Sequence, residues 1–287
     1  GYLPFTVQLT EQGVQPGDSC LLAVMTDNSD DKNFPPGKRQ YTLDFAYHGG
    51  IYRDVWMIGK SSVAITDALE ADKVAGGGVF VHFDNISGKK AEVYVDTEVH
   101  NSGKRTRTVA VETVLVDAGD VPVKRVSQQV KLQAGESKTV RQRFAVRNPK
   151  LWSPDSPYLY RIQSRVKAGH EVLDGGVTRV GIRKAEFKGK DGFWLNGKPF
   201  GQLVGANRHQ DFAYVGNALP NSQQWRDAKR LRDAGCTIIR VAHYPQDPAF
   251  MDACDEMGLF VIVATPGWQY WNKNPEFAKL VHRNTRE

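Results

Sequence analysis

The sequence predicts a multidomain fold class. It has a strand-rich start over residues 1–60, an immunoglobulin-like β-sandwich over 61–184, and the opening of an α/β sheet or barrel over 185–287. Three observations carry this reading. Apolar residues alternate with period two through the middle of the chain, with no helical period. After residue 185, strands alternate with amphipathic helices joined by short loops. The 287 residues, 40% hydrophobic and 24% charged, suffice for one to three packed cores and exclude disorder and collagen-like repetition.

Residues 6–9, 20–24 and 52–58 read as three strands separated by Gly13, Pro16-Gly17 and Pro35-Pro36-Gly37. Three strands cannot close a sandwich or jelly roll, so this segment is expected to be the second half of a domain. In the middle segment, Ala91, Val93, Val95, Thr97 and Val99 share one face, and Glu92, Asp96, Glu98 and His100 take the other. A strand of that pattern is expected to bury one side only. Val109, Val111, Thr113 and Leu115 repeat it, Ala134-Gly135-Glu136 turns, and residues 151–158 round a corner before a strand over 159–166.

The last segment opens with a hairpin over 193–200, whose Asn196-Gly197 pair suits a two-residue turn with positive φ at both positions. A strand is expected near 202–206. A helix capped by Asn221 or Ser222 follows, with Trp225, Ala228 and Leu231 on one face and Gly235 as its stop. Next come a strand over 236–242 and a helix opened by Asp247-Pro248 and closed by Gly258. The apolar run 259–264 is expected to be a parallel strand buried on both faces. A (β/α)8 barrel needs about 250 residues, and 103 remain from residue 185. The chain is therefore expected to be the middle of a longer protein, a reading that its Gly1-Tyr2 start also suits. Its compartment stays open. Such a piece, expected to expose unpaired strand edges, should behave poorly alone; a sharp, reversible two-state melt of a monodisperse monomer would count against this.

No stretch reaches the roughly 20 apolar residues of a membrane-spanning helix, so no membrane partner is expected. The net charge is +6, and residues 101–150 hold eleven basic and four acidic side chains. Lys104, Arg105, Arg107, Lys124, Arg125, Lys131, Arg141 and Arg143 are spread along alternating strands like a solvated sheet face, without a nucleic-acid-binding motif, so no nucleic-acid partner is expected. Cys20, Cys236 and Cys254 form no disulfide framework or metal-ligand pair. Cys236 and Cys254 read as buried apolar fillers.

Polar residues gather where the parallel strands end. Asn207, Arg208, His209 and Gln210 follow the first, Arg240, His243 and Tyr244 the second, and Thr265, Trp268, Gln269, Tyr270 and Trp271 the third. Ligands of barrels and open α/β sheets bind on that rim. Arg and His supply hydrogen-bond donors, and exposed aromatic faces stack on sugars or other flat ligands.

The runs Gly49-Gly50-Ile51-Tyr52-Arg53-Asp54-Val55, Leu151-Trp152-Ser153-Pro154 with Tyr158-Leu159-Tyr160, Gly181-Ile182-Arg183 and Leu195-Asn196-Gly197-Lys198-Pro199 occur in that order. Gly205-Ala206-Asn207-Arg208-His209-Gln210-Asp211 and Ile239-Arg240-Val241-Ala242-His243-Tyr244-Pro245 follow them. Over residues 3–268 the chain resembles glycoside hydrolase family 2, the family of β-galactosidases, β-glucuronidases and β-mannosidases, and most of all its β-galactosidases. The resemblance implies the C-terminal part of a jelly-roll sugar-binding domain, an immunoglobulin-like sandwich and the N-terminal part of a catalytic (β/α)8 TIM barrel. It also implies retaining hydrolysis of β-glycosides by two glutamates about 5 Å apart. One follows an asparagine after the fourth barrel strand and the other follows the seventh strand. The sequence has no Asn-Glu pair, so neither glutamate is expected in this chain.

By the same resemblance, His209 and His243 reach hydroxyls of the reacting sugar, and Arg240 keeps the nucleophilic glutamate ionised. Asp44 extends from the jelly roll to the sugar or, alternatively, orders its own loop. Asn207, Arg208, Tyr244 and Trp268 complete the expected substrate contacts, with Asn207 and Arg208 alternatively standing behind the groups that touch sugar. Arg53-Asp54 reads as an ion pair at a domain seam. Residues 264–271 lack the acidic and histidine ligands of magnesium-dependent β-galactosidases, so no metal and no cofactor are expected, and the extra tryptophans suggest a different aglycone platform. The expected partner is a β-linked oligosaccharide or glycoside, with self-association left open. The alternative reading is a noncatalytic carbohydrate-binding or structural β-sandwich module.

Overall fold

The computed structural model describes residues 2–46, 48–265 and 270–286. Two antiparallel sheets form the middle of the chain. In the first, β3 (Lys90–Asn101) is central, with β6 (Ser137–Arg147) along one edge and β1 (Val63–Ile65) and β2 (Val79–Asp84) sharing the other. The short α1 (Ala68–Ala71), capped by the Asp67 carboxylate, joins β1 to β2. The second sheet runs in the order β5 (Pro122–Leu132), β4 (Arg107–Val116), β7 (Tyr160–Ala168), β8 (Glu171–Val180). Every strand pair is antiparallel. The predicted alternation fills the space between the sheets: Ala91, Val93 and Val95 meet Leu115, Phe144 and Ile162 in one cluster, and Val99, Val109, Val111 and Val166 meet in a second.

The outer face of β3 is not left to water as expected. Glu92 and Glu98 are both buried. Their carboxylates sit beneath long cationic side chains from neighbouring positions: Glu92 accepts from Lys90 (2.7 Å), Asn85 (3.0 Å) and Arg143 (2.5 Å), and Glu98 from Lys73 and Thr139. Lysine and arginine stems cover what the alternating pattern alone would expose. Hydrogen bonds from Lys90, Asn85 and Arg143, in that order, hold the Glu92 carboxyl down at about 2.

In the last third, β9 (Ala185–Phe187), β10 (Phe193–Leu195) and β11 (Lys198–Pro199) make a small antiparallel sheet. Asn196 and Gly197 turn the β10–β11 hairpin with φ of 53° and 79°, as their sequence requires. A parallel sheet follows in the order β12 (Gly205–Arg208), β13 (Ile238–Val241), β14 (Phe260–Val263). Helices α2 (Asn221–Asp233) and α3 (Pro248–Met257) cover one of its faces, packing Ala228, Phe250, Ala253 and Cys254 on Ile239 and Val241. Asp247 caps α3 through the Ala249 N–H. Helix α4 (Pro275–Arg286) closes the described chain.

Several local expectations are corrected. Residues 6–9, 20–24 and 52–58 form no strands, since none of the described residues pairs with them in a ladder; Leu21 stands 96% exposed. The first parallel strand starts at Gly205, where register with Ile238 begins, and α2 takes Pro220 as its N-cap. β14 is paired with β13 alone among the described strands, and Ile262 and Val263 stand about half exposed rather than buried on both faces. Arg53 donates to the Pro245 carbonyl, while Asp54 accepts from Asn221 at 3.1 Å. Both reach across a seam, yet to different partners. Cys254 is buried as expected; Cys236 is only partly so.

The corner at residues 151–157 joins sandwich to parallel sheet. Trp152 is 1% exposed, donates its indole N–H to the Asp255 carbonyl (2.8 Å) and lies edge-on to Phe260 at 5.3 Å. A Cβ at Gly258 would lie 2.3 Å from the Pro154 oxygen, and the residue has φ of 75°. Gly235 has a similar φ of 87° but open space around it. Gly258→Ala is therefore expected to cost about 2–4 kcal/mol from strain and overpacking together, and Gly235→Ala about 1 kcal/mol from strain alone. Urea denaturation of both variants checks the difference. An acid titration gives a second test. The Glu92 carboxyl is depressed from 4.5, so the unfolded chain takes up its proton first. Its contribution is complete above pH 4.5 and is lost as pH falls through about 2. Glu92→Gln should flatten that limb of the stability–pH curve.

Candidate active site

Register divides the rim residues between two faces. Asn207 pairs with Arg240 and Arg208 with Val241. Val241 packs under α2 and α3, so Arg208 shares the helix side and Asn207 and Arg240 take the opposite face. In a closed barrel that opposite face is the interior, and its C-terminal mouth is the ligand rim.

Beyond the strand ends, His209 and His243 meet edge to face with ring centroids 5.4 Å apart. The Phe45 ring lies over both, at 5.9 and 5.5 Å. The loop holding Asp44 and Phe45 thus reaches from the start of the chain onto the parallel sheet. Asp44 acts electrostatically on His243. The structure accordingly brings together Asp44, His209, Arg240 and His243, with Asn207 beside Arg240 in register.

His243 is 6% exposed. Desolvation, then the Arg240 charge and His209, hold its pKa below 6.5, against the pull of Asp44. The imidazole is neutral at pH 7, with one nitrogen able to donate and the other to accept, as a sugar hydroxyl requires. His209 Nδ1 is buried without a hydrogen-bond partner among the described residues. A ligand hydroxyl would satisfy it.

Of the expected sugar contacts, Arg208 takes its alternative place behind the site and Tyr244 is corrected. Arg208 is buried, and its guanidinium donates to Gln246 (2.6 Å), Gln224 (2.8 Å) and Asp227 (2.7 Å) over the Phe250 ring. It faces the helix layer because its neighbour Asn207 faces the site. Tyr244 is fully buried, its ring stacked on Tyr2 at 4.5 Å, and burial pushes its phenol up to about 12. Trp268 lies outside the described residues. Trp271 is exposed. Sequence reasoning missed Phe45, whose only signal is its place beside Asp44, and Gln246, which follows the second rim cluster.

An immunoglobulin-like sandwich leading into the first strands of a barrel, with an ionisable rim at their C-terminal ends, defines the class as a barrel protein with a polar ligand site. Residues 78–183 match the model of the glycosyl hydrolases family 2, and residues 186–286 match that family's TIM barrel domain. The chain belongs to glycosyl hydrolase family 2. A β-galactosidase of Thermoanaerobacter pseudethanolicus is 34% identical over 94% of this chain and 34% of its own length. A β-glucuronidase of Formosa agariphila is 29% identical over 92% of this chain and 27% of its own. The structure of Bacteroides uniformis β-glucuronidase 2, covalently bound to cyclophellitol-6-carboxylate aziridine, superposes with a TM-score of 0.82 at 28% identity, over 90% of this chain and 30% of that one. The chain spans about a third of the length of the curated relatives it matches.

The charges around His243 make a direct prediction. Arg240→Gln should raise the His243 titration midpoint and Asp44→Asn should lower it further, both read from its ring resonances by NMR.

Proposed function

We propose that the protein carrying this chain is a retaining β-glycosidase that cleaves terminal β-glycosides, β-galactosides first among them. The observation that carries the reading is the convergence of Asp44, His209, Arg240 and His243 on one rim. We also propose the domain limits 1–60, 61–184 and 185–287; the family matches to 78–183 and 186–286 support the division near residue 185.

In this reading, His209 and the neutral His243 bond sugar hydroxyls and strengthen those bonds as positive charge develops on the sugar ring. Asp44 accepts from a further hydroxyl. Arg240 faces the barrel interior, where its positive charge favours the ionised form of a carboxylate nucleophile supplied elsewhere in the protein. Relatives named β-galactosidase and the Asn207-Arg208-His209 and Arg240-x-x-His243-Tyr244-Pro245 forms favour galactosides. β-Glucuronides are the second reading, since several relatives carry that name and Arg240 is a cation within the cluster.

Hydrolysis of a panel of nitrophenyl β-glycosides by the complete protein and by His243→Ala tests this. Wild type should cleave the β-galactoside best, and the variant should be at least about a hundredfold slower. A glucuronide cleaved better would replace the sugar assignment, and no cleavage of any glycoside would overturn the reading.

A further inference from the structure

The geometry points to Arg208 as a positioning residue: through Gln246 it fixes the loop that carries His243, and so sets the spacing of His243 from His209. This inference rests on the glycosidase reading for its effect on rate, and on this chain alone for its effect on the loop.

Gln246 reads Arg208 twice. Its carbonyl oxygen accepts from the guanidinium at 2.6 Å, and its amide donates to the Arg208 backbone carbonyl at 2.5 Å. The same carbonyl accepts from the Ala242 N–H at 2.9 Å. Both ends of residues 242–246 are thereby tied to one residue of β12. One position further, the buried Gln210 side chain accepts from the Asp247 N–H at 2.9 Å. His209 lies between these two anchors and His243 lies within the loop they hold.

The other arms of the fork secure Arg208 itself. Gln224 and Asp227, both on α2, accept from its second terminal nitrogen, and Phe250 of α3 lies 4.0 Å beneath the guanidinium. Gln224 is completely buried and Gln246 nearly so. Among the described residues Gln224 Nε2 and Arg208 Nε have no partner, so the network's geometry rests on the bonds it does make, from the terminal nitrogens of Arg208 to Gln224, Asp227 and Gln246, each costly to lose in a buried site. Only a guanidinium supplies this planar, multiply donating fork; a lysine ammonium keeps the charge and loses the arrangement. Arg208 acts on the His243 ring through the loop that Gln246 anchors.

The test uses the complete protein and the variants Arg208→Lys, Gln246→Ala and their combination, with Arg232→Ala as a control. Arg232 bonds the Pro154 carbonyl and Asp155 at the other end of α2, away from the rim. Arg208→Lys is expected to lower kcat at least about thirtyfold, with KM within about threefold, because misplaced contacts act on the transition state. Amides of residues 242–250 should exchange with deuterium at least about tenfold faster, while those of the sandwich are unchanged. The double variant should be no slower than the worse single one, since the Arg208–Gln246 side-chain bond that carries the effect is already lost in either. Arg232→Ala should leave kcat within about threefold.

Unchanged exchange at 242–250 in Arg208→Lys, or losses in kcat that multiply in the double variant, would overturn the inference. If Arg208→Lys does not fold, Gln246→Ala, which leaves the Arg208–Asp227 pair in place, decides the matter by the same two readouts. A wild-type protein inactive on every glycoside sinks the glycosidase reading alone, and the exchange result still decides the role of Arg208.

Discussion

The arrangement of this protein depends on one wedge, the Trp152 side chain between the sandwich and the parallel sheet. Its backbone N–H donates to Ile182 (2.8 Å), its carbonyl accepts from Asn196 (3.0 Å), and its indole reaches Asp255. Arg183 lies over the ring at 5.0 Å. A large aromatic surface buried with its single polar donor satisfied is among the strongest local attachments a seam can have. Arg179, bridging to Asp252 and Glu256 of α3, adds charge contacts at its edge. The parallel sheet is thus held in fixed relation to the sandwich through α3 and β14, and the rim inherits that relation.

Much of this was legible in the sequence, for identifiable reasons. Strand alternation in β3 and β4, the Asn196-Gly197 turn and the Asp247-Pro248 helix start each rest on local sterics and hydrogen bonding, which short stretches of sequence encode. The rim at the strand ends was legible because strand–helix–strand order fixes which loops lie together. The failures have equally specific causes. Residues 6–9, 20–24 and 52–58 have strand-like composition, but a strand exists only where a neighbour completes its ladder. Arg208 and Tyr244 stand in the same short motifs as His209 and His243, yet strand register sends Arg208 under the helices, and Tyr2 covers Tyr244. Phe45 carries no periodic signal, because its role is created by a contact across some 160 positions.

The rim is also built with unlike neighbours around one imidazole. Burial, Arg240 and His209 disfavour protonation of His243 and Asp44 favours it, with burial the largest of the four influences. A ring held below its ordinary pKa is neutral at pH 7, with one nitrogen to donate and one to accept. That pairing suits recognition of uncharged hydroxyls better than of ions.

The reach of the Asp44–Phe45 loop has a consequence for assembly. In the unfolded chain, bringing Phe45 to His209 closes a loop that contains the entire sandwich, and such long-range closure is slow. A folded sandwich shortens that span to the distance between its two ends. The sandwich therefore acts as a ruler, delivering two sequence-remote halves of the rim to each other at a set separation. Substitutions within its core would be felt at the rim as a change in aim.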